Sequence, residues 1–232
     1  MSALIEAENL TRTLAETVPV TLVRDITLTI GEKEFVAITG PSGSGKSSLL
    51  YLLGLLDRPT GGVLKIHGRD AGPMSEKERA ETRLSMLGFV FQFHFLLPEF
   101  TARENVEIPM RKLGRLTRSE MHARSGDLLR SFGLGDHLDR RPDQLSGGQR
   151  QRVAVARSLA NDPPIVFADE PTGSLDSKSS EQVFSILERL VHERGKTVVA
   201  VTHDLEMADR MDRRINLIDG RIDSPAPSGS NR

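Results

Sequence analysis

The sequence has no cysteine and no tryptophan, and it contains a single tyrosine. Without cysteine the chain can form neither a disulfide nor a thiolate metal site, and it has no cysteine nucleophile. No apolar run approaches the roughly 20 residues needed to span a bilayer. The start MSALIEAENL does not have the basic region and apolar core of a signal peptide. We therefore predict a soluble cytoplasmic protein, for which any membrane role needs a partner.

The chain also lacks an excess of charge of either sign. It has 31 Lys and Arg residues against 32 Asp and Glu residues, so there is no electrostatic argument for nucleic acid, and no nucleic-acid partner is expected. A chain of 232 residues can bury a sizeable core. It is long enough for one large domain or for a core that carries an inserted lobe.

What is present is an alternation of strand and helix patterns. FVAIT, IVFAD and TVVAV are unbroken apolar runs, as in strands that are covered on both faces, whereas DITLTI alternates and IEAENL could pair with it. INLIDGRI contains the Asp-Gly turn of a hairpin. Strands that alternate with helices predict an α/β fold with a mainly parallel sheet. The first two strands predict an antiparallel β region at the N-terminus.

A helical block interrupts this alternation. Two capping boxes begin at Thr101 and Thr117, and a further helix is expected from Ser146 to about Asn161. We therefore predict an inserted helical subdomain within a single domain. The expected bounds are core segments of about 1–90 and 160–222, a helical lobe of about 95–160 and a disordered tail over 223–232.

GPSGSGKSS matches the phosphate-loop pattern G-x-x-x-x-G-K-[ST], and it stands between a predicted strand and a predicted helix. Its glycines allow backbone N–H groups to point at phosphates, and the helix N-terminus adds partial positive charge. Lys46 would reach the β- and γ-phosphates, and the Ser47 hydroxyl would bind Mg²⁺. The predicted nucleotide contacts are Gly40, Pro41, Ser42, Gly43, Ser44, Gly45, Lys46, Ser47 and Ser48.

Three candidate residues follow buried strands, at the sheet edge where ligands bind in open α/β folds. Asp169 would hold Mg²⁺ through its water shell, and Glu170 could polarise a water for attack on the γ-phosphate. A pair of acidic residues is on its own more often a helix cap or a surface pair. His203 could donate to a γ-phosphate oxygen or orient the water, although a lone histidine is more often a packing or capping residue.

Gln92 lies in GFVFQFHFLL, where Phe89, Phe91, Phe93 and Phe95 alternate. An extended segment would place all four rings on one face, most simply in the core, and would point Gln92 the opposite way. The glutamine oxygen could bind Mg²⁺ or its water. The apolar side chains of the segment could contact a partner.

LSGGQRQ is a second glycine turn that opens onto a helix, and it has no lysine. Ser146 is a good N-cap, and Gly147 and Gly148 let a ligand approach the backbone, where the helix dipole favours an anion. We add Ser146, Gly147, Gly148 and Gln149 to the predicted nucleotide contacts. Without a lysine, this loop is an incomplete site that could complete one formed elsewhere.

In their order, GPSGSGKS, Gln92, LSGGQ, IVFADE, SLD and His203 resemble the Walker A, Q-loop, signature, Walker B, D-loop and switch histidine of the ATP-binding-cassette ATPases. The resemblance covers about residues 5–222. It implies a P-loop NTPase core, ATP and Mg²⁺ as cofactors, and ATP hydrolysis with Glu170, His203 and Lys46 as catalytic residues. It also implies head-to-tail dimers in which each signature loop closes on the other copy's γ-phosphate, with Asp176 linking the two sites.

Within this family, GFVFQFHFLLPEFTARENVEIPM and FADEPTGSLD are most similar to the lipoprotein-release and macrolide-export ATPases. That similarity implies transmembrane permease subunits as partners and a peripheral position at the cytoplasmic face of the bacterial inner membrane. The work done would be export, lipoprotein release or mechanotransmission. Leu14 departs from the family, because it stands where an aromatic residue often stacks on adenine.

Two other functions compete with transport. Cassette ATPases of the repair and chromosome types carry a long coiled-coil insertion or zinc-binding cysteines, and those of the translation type usually carry two cassettes in one chain. None of these features is present in the sequence. A nucleotide-binding regulator without turnover is the third hypothesis, and the intact Glu170 argues against it.

Overall fold

Two sheets and seven helices form the part of the chain that the computed structural model describes, residues 3–15 and 17–223. The strands are β1 (Ala3–Leu14), β2 (Val20–Gly31), β3 (Phe35–Thr39), β4 (Gly61–Ile66), β5 (Arg69–Asp70), β6 (Leu87–Phe91), β7 (Ile165–Asp169), β8 (Thr197–Val201), β9 (Arg213–Ile218) and β10 (Arg221–Ile222). The helices are α1 (Lys46–Leu53), α2 (Glu76–Met86), α3 (Ala102–Leu113), α4 (Arg118–Ser131), α5 (Gly147–Ser158), α6 (Ser177–His192) and α7 (Leu205–Asp209). Of the predicted tail, residues 224–232 lie outside the described residues.

The larger sheet has the strand order β10-β9-β3-β8-β7-β6. All its neighbouring pairs are parallel except β9 with β10, which form the hairpin predicted at Asp219-Gly220. Every residue of β3, β7 and β8 is buried, as expected for strands with both faces covered. The predicted α/β fold with a mainly parallel sheet is therefore confirmed.

The smaller sheet is antiparallel and has the order β2-β1-β4-β5. It confirms the predicted N-terminal β region, to which the structure adds β4 and β5. Leu14 pairs with Val20 at the end of the β1–β2 pair where the chain passes from one strand to the other. Leu22, two residues further along β2, brings its carbonyl against Gly45. The end of β1 is therefore close to the start of α1.

The helices between β6 and β7 begin where the capping residues predict. Thr101, Thr117 and Ser146 each accept a hydrogen bond from the backbone N–H three residues on. The last of these helices, α5, ends at Ser158 and not near Asn161, because the chain leaves the helix in a turn whose Asp162 has φ +56°. The apolar faces of α3, α4 and α5 belong to the same hydrophobic cluster as one face of the large sheet.

Over the described ranges, no helix combines the length and the apolar character that crossing a membrane requires.

Candidate functional site

The phosphate loop connects β3 to α1, and its backbone is fixed by close contacts. Gly45 has φ +95°, and a Cβ at this position would collide with the Leu22 carbonyl oxygen. Lys46 turns back over the loop, and its Nζ donates to the carbonyl oxygens of Gly40 at 2.9 Å and Pro41 at 2.8 Å. No side chain caps α1, and its first turn holds no acidic residue. The N-terminus of α1 is therefore suited to an anion.

Asp169 ends β7 beside this helix. The Ser47 hydroxyl donates to Asp169 Oδ1 at 2.9 Å, and the Tyr51 hydroxyl donates to Asp169 Oδ2 at 2.8 Å. Burial, together with the hydrogen bond to Asp169 and its negative charge, raises the pKa of Tyr51 to about 12. The two residues predicted to bind Mg²⁺ at this point, Ser47 and Asp169, are thus in direct contact. The contact of Tyr51 could not be inferred from the sequence, since no motif contains this residue.

The donor set near α1 fits Mg²⁺. Ser47, Asp169 and Gln92 offer hydroxyl, carboxylate and amide oxygens, which are the ligands this hard cation takes in proteins. Nowhere in residues 3–15 and 17–223 do three or more His, Asp or Glu side chains form a group that could hold a metal. A sparse oxygen set is what Mg²⁺ needs, because it keeps several waters and binds substrate phosphates beside one or two protein groups.

Glu170 and His203 are in direct contact. His203 Nδ1 lies 2.6 Å from Glu170 Oε2, and the Glu170 backbone N–H donates to the Val201 carbonyl at 3.0 Å. Glu170 has φ +47°, a left-handed conformation that few residues other than glycine adopt. Such backbone strain is often found at functional sites, and no sequence pattern signals it.

Gln92 lies at the same edge of the sheet as Glu170. A Cβ added at Gly173 would lie 3.2 Å from both Gln92 Nε2 and Glu170 Oε2, so both side chains converge on this glycine. The Ser174 hydroxyl donates to the Gln92 carbonyl at 3.0 Å. Of the predicted site residues, the structure therefore brings Gln92, Glu170 and His203 together, next to Asp169.

The prediction that four phenylalanines share one strand face is wrong for the last two. Strand β6 ends at Phe91, and the chain turns away at Phe95, which has φ +44°. Phe89 and Phe91 stack on each other, whereas Phe93 and Phe95 are each 62% exposed. Arg157 holds the turned segment through the carbonyls of His94 and Phe95, both at 2.8 Å.

The signature loop lies outside this cluster. Ser146 Oγ accepts from the Gln149 N–H, Gln149 Oε1 accepts from the Ser146 N–H, and Gln149 Nε2 lies 2.9 Å from His137 Nε2. Within the described residues, no hydrogen bond joins Ser146–Gln149 to the phosphate loop or to Asp169, Glu170 or His203. Within one chain, the structure thus leaves the signature loop apart from the other predicted site residues.

The two signature glycines differ in what surrounds them. A Cβ at Gly148 would collide with the Ser179 side chain of α6, so packing within the chain requires glycine there. A Cβ at Gly147 would meet only Leu175 Cδ2, at an ordinary 3.8 Å, and its φ is not positive. Nothing in the described part of the chain therefore requires glycine at position 147.

Gln151 connects the signature helix, α5, to the edge of the large sheet where Gln92 and Glu170 lie. It is buried on α5, and its Nε2 donates to the carbonyls of Phe91 and Pro171, both at 2.8 Å. One carbonyl precedes Gln92 and the other follows Glu170. The sequence does not signal this role, because a glutamine in a helical pattern is unremarkable without its partners.

Known proteins are similar to this chain over most of its length. The family model described as "ABC transporter" matches residues 23–173. The lipoprotein-releasing system ATP-binding protein LolD 1 of Chlorobium chlorochromatii is 48% identical over 209 residues, which cover 90% of this chain and 85% of the relative. LolD of Anaeromyxobacter dehalogenans is 50% identical over 206 residues, which cover 89% of this chain and 86% of the relative.

Solved structures agree in fold. A dimeric post-hydrolysis state of the ATP-binding cassette MJ0796, bound to ADP and Pi, superposes with a TM-score of 0.88 at 42% identity. The match covers 95% of this chain and 97% of that one. The cbiO1 protein of Clostridium perfringens, part of the ABC transporter complex cbiONQ, superposes with a TM-score of 0.87 at 25% identity and covers 97% of this chain and 88% of its own.

Proposed function

Since the chain belongs to the ABC transporter family and is an ATP-hydrolysing cassette of that family, we propose that it acts as a homodimer that drives lipoprotein release through a transmembrane partner. Its relatives are named as ATP-binding proteins of lipoprotein-releasing systems, and this supports lipoprotein release as the function. The observation that supports the dimer is the signature loop, where Ser146 is exposed and the chain's own packing does not require glycine at position 147.

In the proposed reaction, the phosphate-loop N–H groups and Lys46 bind the phosphates. Ser47, Asp169 and Gln92 would hold Mg²⁺, which when bound neutralises charge that develops on the β- and γ-phosphates. Glu170 accepts a proton from the attacking water, as a general base at the sheet edge. Most of the catalysis is then positioning and electrostatic stabilisation by groups already in place.

The contact between His203 and Glu170 restricts what the histidine can do. While Nδ1 donates to the Glu170 carboxylate, a neutral ring offers Nε2 only as an acceptor, which suits a water. Donation to a γ-phosphate oxygen requires the doubly protonated ring or a break in this contact. We therefore assign His203 to orienting Glu170 and the water while the contact lasts.

The second copy supplies what the phosphate loop lacks. The N-terminus of α5 offers N–H groups and a helix dipole to an anion, and it holds no acidic residue in its first turn. Ser146 is exposed at this end. In a symmetric head-to-tail dimer, the signature loop of each copy would close on the nucleotide held by the other. Two identical sites result, and neither is complete in one chain.

Mixing two inactive variants tests this arrangement. Lys46→Ala damages only the phosphate loop, and Ser146→Arg damages only the signature loop, so each homodimer has two broken sites. A heterodimer of the two variants has one site with both faults and one site with neither. With random pairing, an equal mixture should recover about a quarter of wild-type hydrolysis. No recovery, with both variants folded, would contradict a site shared between copies.

Nucleotide binding by the monomer is the matched control. Ser146→Arg should bind ATP as the wild type does at concentrations too low for dimers, whereas Lys46→Ala should not. If Ser146→Arg loses ATP in the monomer, the signature loop acts within its own chain, and the proposed dimer site is wrong.

The proposed membrane partner docks beside the Phe-rich segment. An apolar groove of about 450 Å³ lies there, lined by Leu56, Leu87, Phe89, Phe91, Ile108 and Pro109. Along the chain, Phe91 and Gln92 are followed by Phe93, Phe95 and Leu97, whose apolar side chains are exposed. A cytoplasmic segment of a transmembrane protein seated there would touch the chain next to a residue of the metal site. Docking would place this protein at the cytoplasmic face of the membrane.

Leu97→Asp tests the docking surface, since Leu97 is 44% exposed whereas the neighbouring Leu96 is buried in the core. Basal hydrolysis should persist, and the partner's binding and stimulation should be lost. A charge at Val18, which is exposed on the N-terminal sheet side, is a matched control. Unchanged partner stimulation in Leu97→Asp would place the contact elsewhere. Co-purification from native membranes would then distinguish lipoprotein release from export or mechanotransmission.

A further inference from the structure

Tyr51 has no part in the mechanism above, yet it contacts a central residue of the site. Its hydroxyl donates to Asp169 Oδ2, and the Ser47 hydroxyl donates to Asp169 Oδ1. Ser47 and Tyr51 stand four residues apart on α1, a spacing that places both on one helix face. A single helix face therefore holds both oxygens of the Asp169 carboxylate.

Packing fixes the direction from which the Tyr51 hydroxyl approaches. The half-buried Tyr51 ring meets the edge of the Phe91 ring, with centroids 6.5 Å apart and an interplanar angle of 70°. Phe91 in turn stacks on Phe89, with centroids 6.1 Å apart. Aromatic pairs in such edge and offset arrangements are favourable. The hydroxyl is thus presented to Asp169 by a ring that has little freedom to move.

We propose that Tyr51 is a positioning residue for the Asp169 carboxylate, which it holds by Oδ2 so that Oδ1 faces the Ser47 hydroxyl at the metal site. The proposal rests on the assignment of Asp169 to Mg²⁺ in the proposed function. Groups that orient a metal ligand through a hydrogen bond typically change metal affinity roughly 10–100-fold when removed. A tyrosine that served only to pack would be replaced by phenylalanine without loss.

Tyr51→Phe separates these alternatives, because it keeps the ring and its contact with Phe91 and removes only the hydroxyl. The probe is a fluorescent ATP analogue, titrated in EDTA and again over a range of Mg²⁺ concentrations. The affinity measured in EDTA should stay within about 2-fold of wild type, and the Mg²⁺ concentration at half-saturation should rise roughly 10–100-fold. Ser85→Ala, which removes an exposed hydroxyl on α2, should leave both values unchanged.

Two outcomes overturn the proposal. A wild-type Mg²⁺ dependence in Tyr51→Phe would show that the hydroxyl does not orient Asp169. Equal weakening with and without Mg²⁺ would show general damage to the loop. If the wild-type protein itself does not bind the analogue, the proposed function fails as well, and the two failures are thereby distinguished.

Spectroscopy tests the hydrogen bond without any nucleotide. Since Tyr51 is the only tyrosine, protein labelled with ¹³C at tyrosine Cζ gives one resonance for this position. That resonance should shift in Asp169→Asn relative to wild type, because a carboxylate acceptor is replaced by an amide. It should not shift in Ser85→Ala. The same resonance in wild type and Asp169→Asn would overturn the proposal.

Discussion

The chain contains two glycine turns that open onto helices, and they differ in how far the rest of the chain accounts for them. At the phosphate loop, Gly45 is forced by its positive φ and by the nearby carbonyl of Leu22. At the signature loop, Gly147 has an unstrained backbone, and a Cβ there would make only an ordinary contact with Leu175. Contacts within the chain account for Gly45 in the phosphate loop, whereas they do not account for Gly147 in the signature loop.

The polar groups of the two loops show the same contrast. Lys46 and Ser47 bond to the loop carbonyls and to Asp169, so the phosphate loop is tied to the carboxylates of the sheet edge. Ser146 and Gln149 bond to each other in a capping box. A loop that is satisfied locally and exposed can meet a second molecule without losing bonds to its own fold. The contrast therefore favours one site built from two chains.

The largest expected effect comes from Glu170→Gln, which leaves both loops intact and removes the proposed base. Hydrolysis should fall by ~10²–10⁴, the usual loss for a general base. Since ATP still binds and is no longer consumed, the dimer that joins the two loops should accumulate. Steady-state ATPase assays and size-exclusion chromatography with and without ATP measure both results.

Two findings would contradict that prediction. Near-normal turnover in Glu170→Gln would remove Glu170 from the base role. A variant that is inactive yet monomeric with ATP would show that the two loops do not meet. Glu193→Gln, an exposed carboxylate at the end of α6, is the matched control and should behave as wild type.

Exchanging glycine for alanine in each loop sharpens the comparison directly. Gly45→Ala should lower the free energy of unfolding by at least about 2 kcal/mol, because the new methyl group is strained and collides with backbone. Gly147→Ala should change stability by no more than about 0.5 kcal/mol. It should nevertheless weaken ATP-driven dimerisation by about tenfold or more, the equivalent of about 1.4 kcal/mol. Thermal melts and sedimentation measure the two effects.

Gly148→Ala is the control within the same turn. Its methyl group would press on Ser179, so stability and dimerisation should both fall. If Gly147→Ala instead unfolds the chain, or leaves the dimer unaffected, then Gly147 is not kept for a second copy.

Much of the fold on which this contrast rests could be predicted from the sequence, because local patterns determine its strands and helix starts. Apolar runs gave β3, β7 and β8, and capping residues gave the starts of α3, α4 and α5. The capping box of Ser75 and Glu78 marks the start of α2 in the same way. The domain bounds inferred from the motifs stay a prediction.

What could not be predicted depends on contacts between residues distant in sequence. The hydrogen bond of Tyr51 to Asp169 spans 118 positions. The strained Glu170 backbone and the turn at Phe95 arise from tertiary packing, which local patterns do not report. The periodicity of the Phe-rich segment suggested one long strand, but the chain bends after Phe91. The separation of the two glycine turns within one chain was expected only from the family resemblance, since motif order by itself carries no distance.

The link between the signature helix and the sheet edge predicts an intermediate effect. Gln151→Leu removes the donor for two carbonyls, those of Phe91 and Pro171, and leaves them unpaired in the interior. Each unsatisfied buried group costs about 1–3 kcal/mol, so the melting temperature should fall. Hydrolysis should fall several-fold more than ATP binding by the monomer, because the signature helix is no longer tied to Gln92 and Glu170.

Gln182→Leu, an exposed glutamine on α6, is the control for Gln151→Leu and should leave hydrolysis unchanged. If ATP binding and hydrolysis fall equally in Gln151→Leu, this residue only stabilises the fold. It then does not couple the signature helix to the sheet edge beside Gln92 and Glu170.

The smallest expected effect concerns only the phosphate-loop half of the site. Leu14 lies at the end of β1, on the strand pair whose Leu22 carbonyl abuts Gly45, so an adenine held beside α1 would rest near an aliphatic side chain. Leu14→Tyr offers a ring for stacking, which is worth about 1–3 kcal/mol per base in nucleic-acid complexes. ATP should bind the monomer several-fold more tightly, while the ATP-bound dimer should form no more readily from saturated monomers. Isothermal titration with ATP and with ribose triphosphate separates the contribution of the base from that of the phosphates, because only the affinity for ATP should increase.

If Leu14→Tyr strengthens ATP-driven dimerisation as much as it strengthens ATP binding by the monomer, the base also contacts the partner's signature loop. The phosphate loop and the signature loop would then share the base, which their contacts within one chain do not indicate.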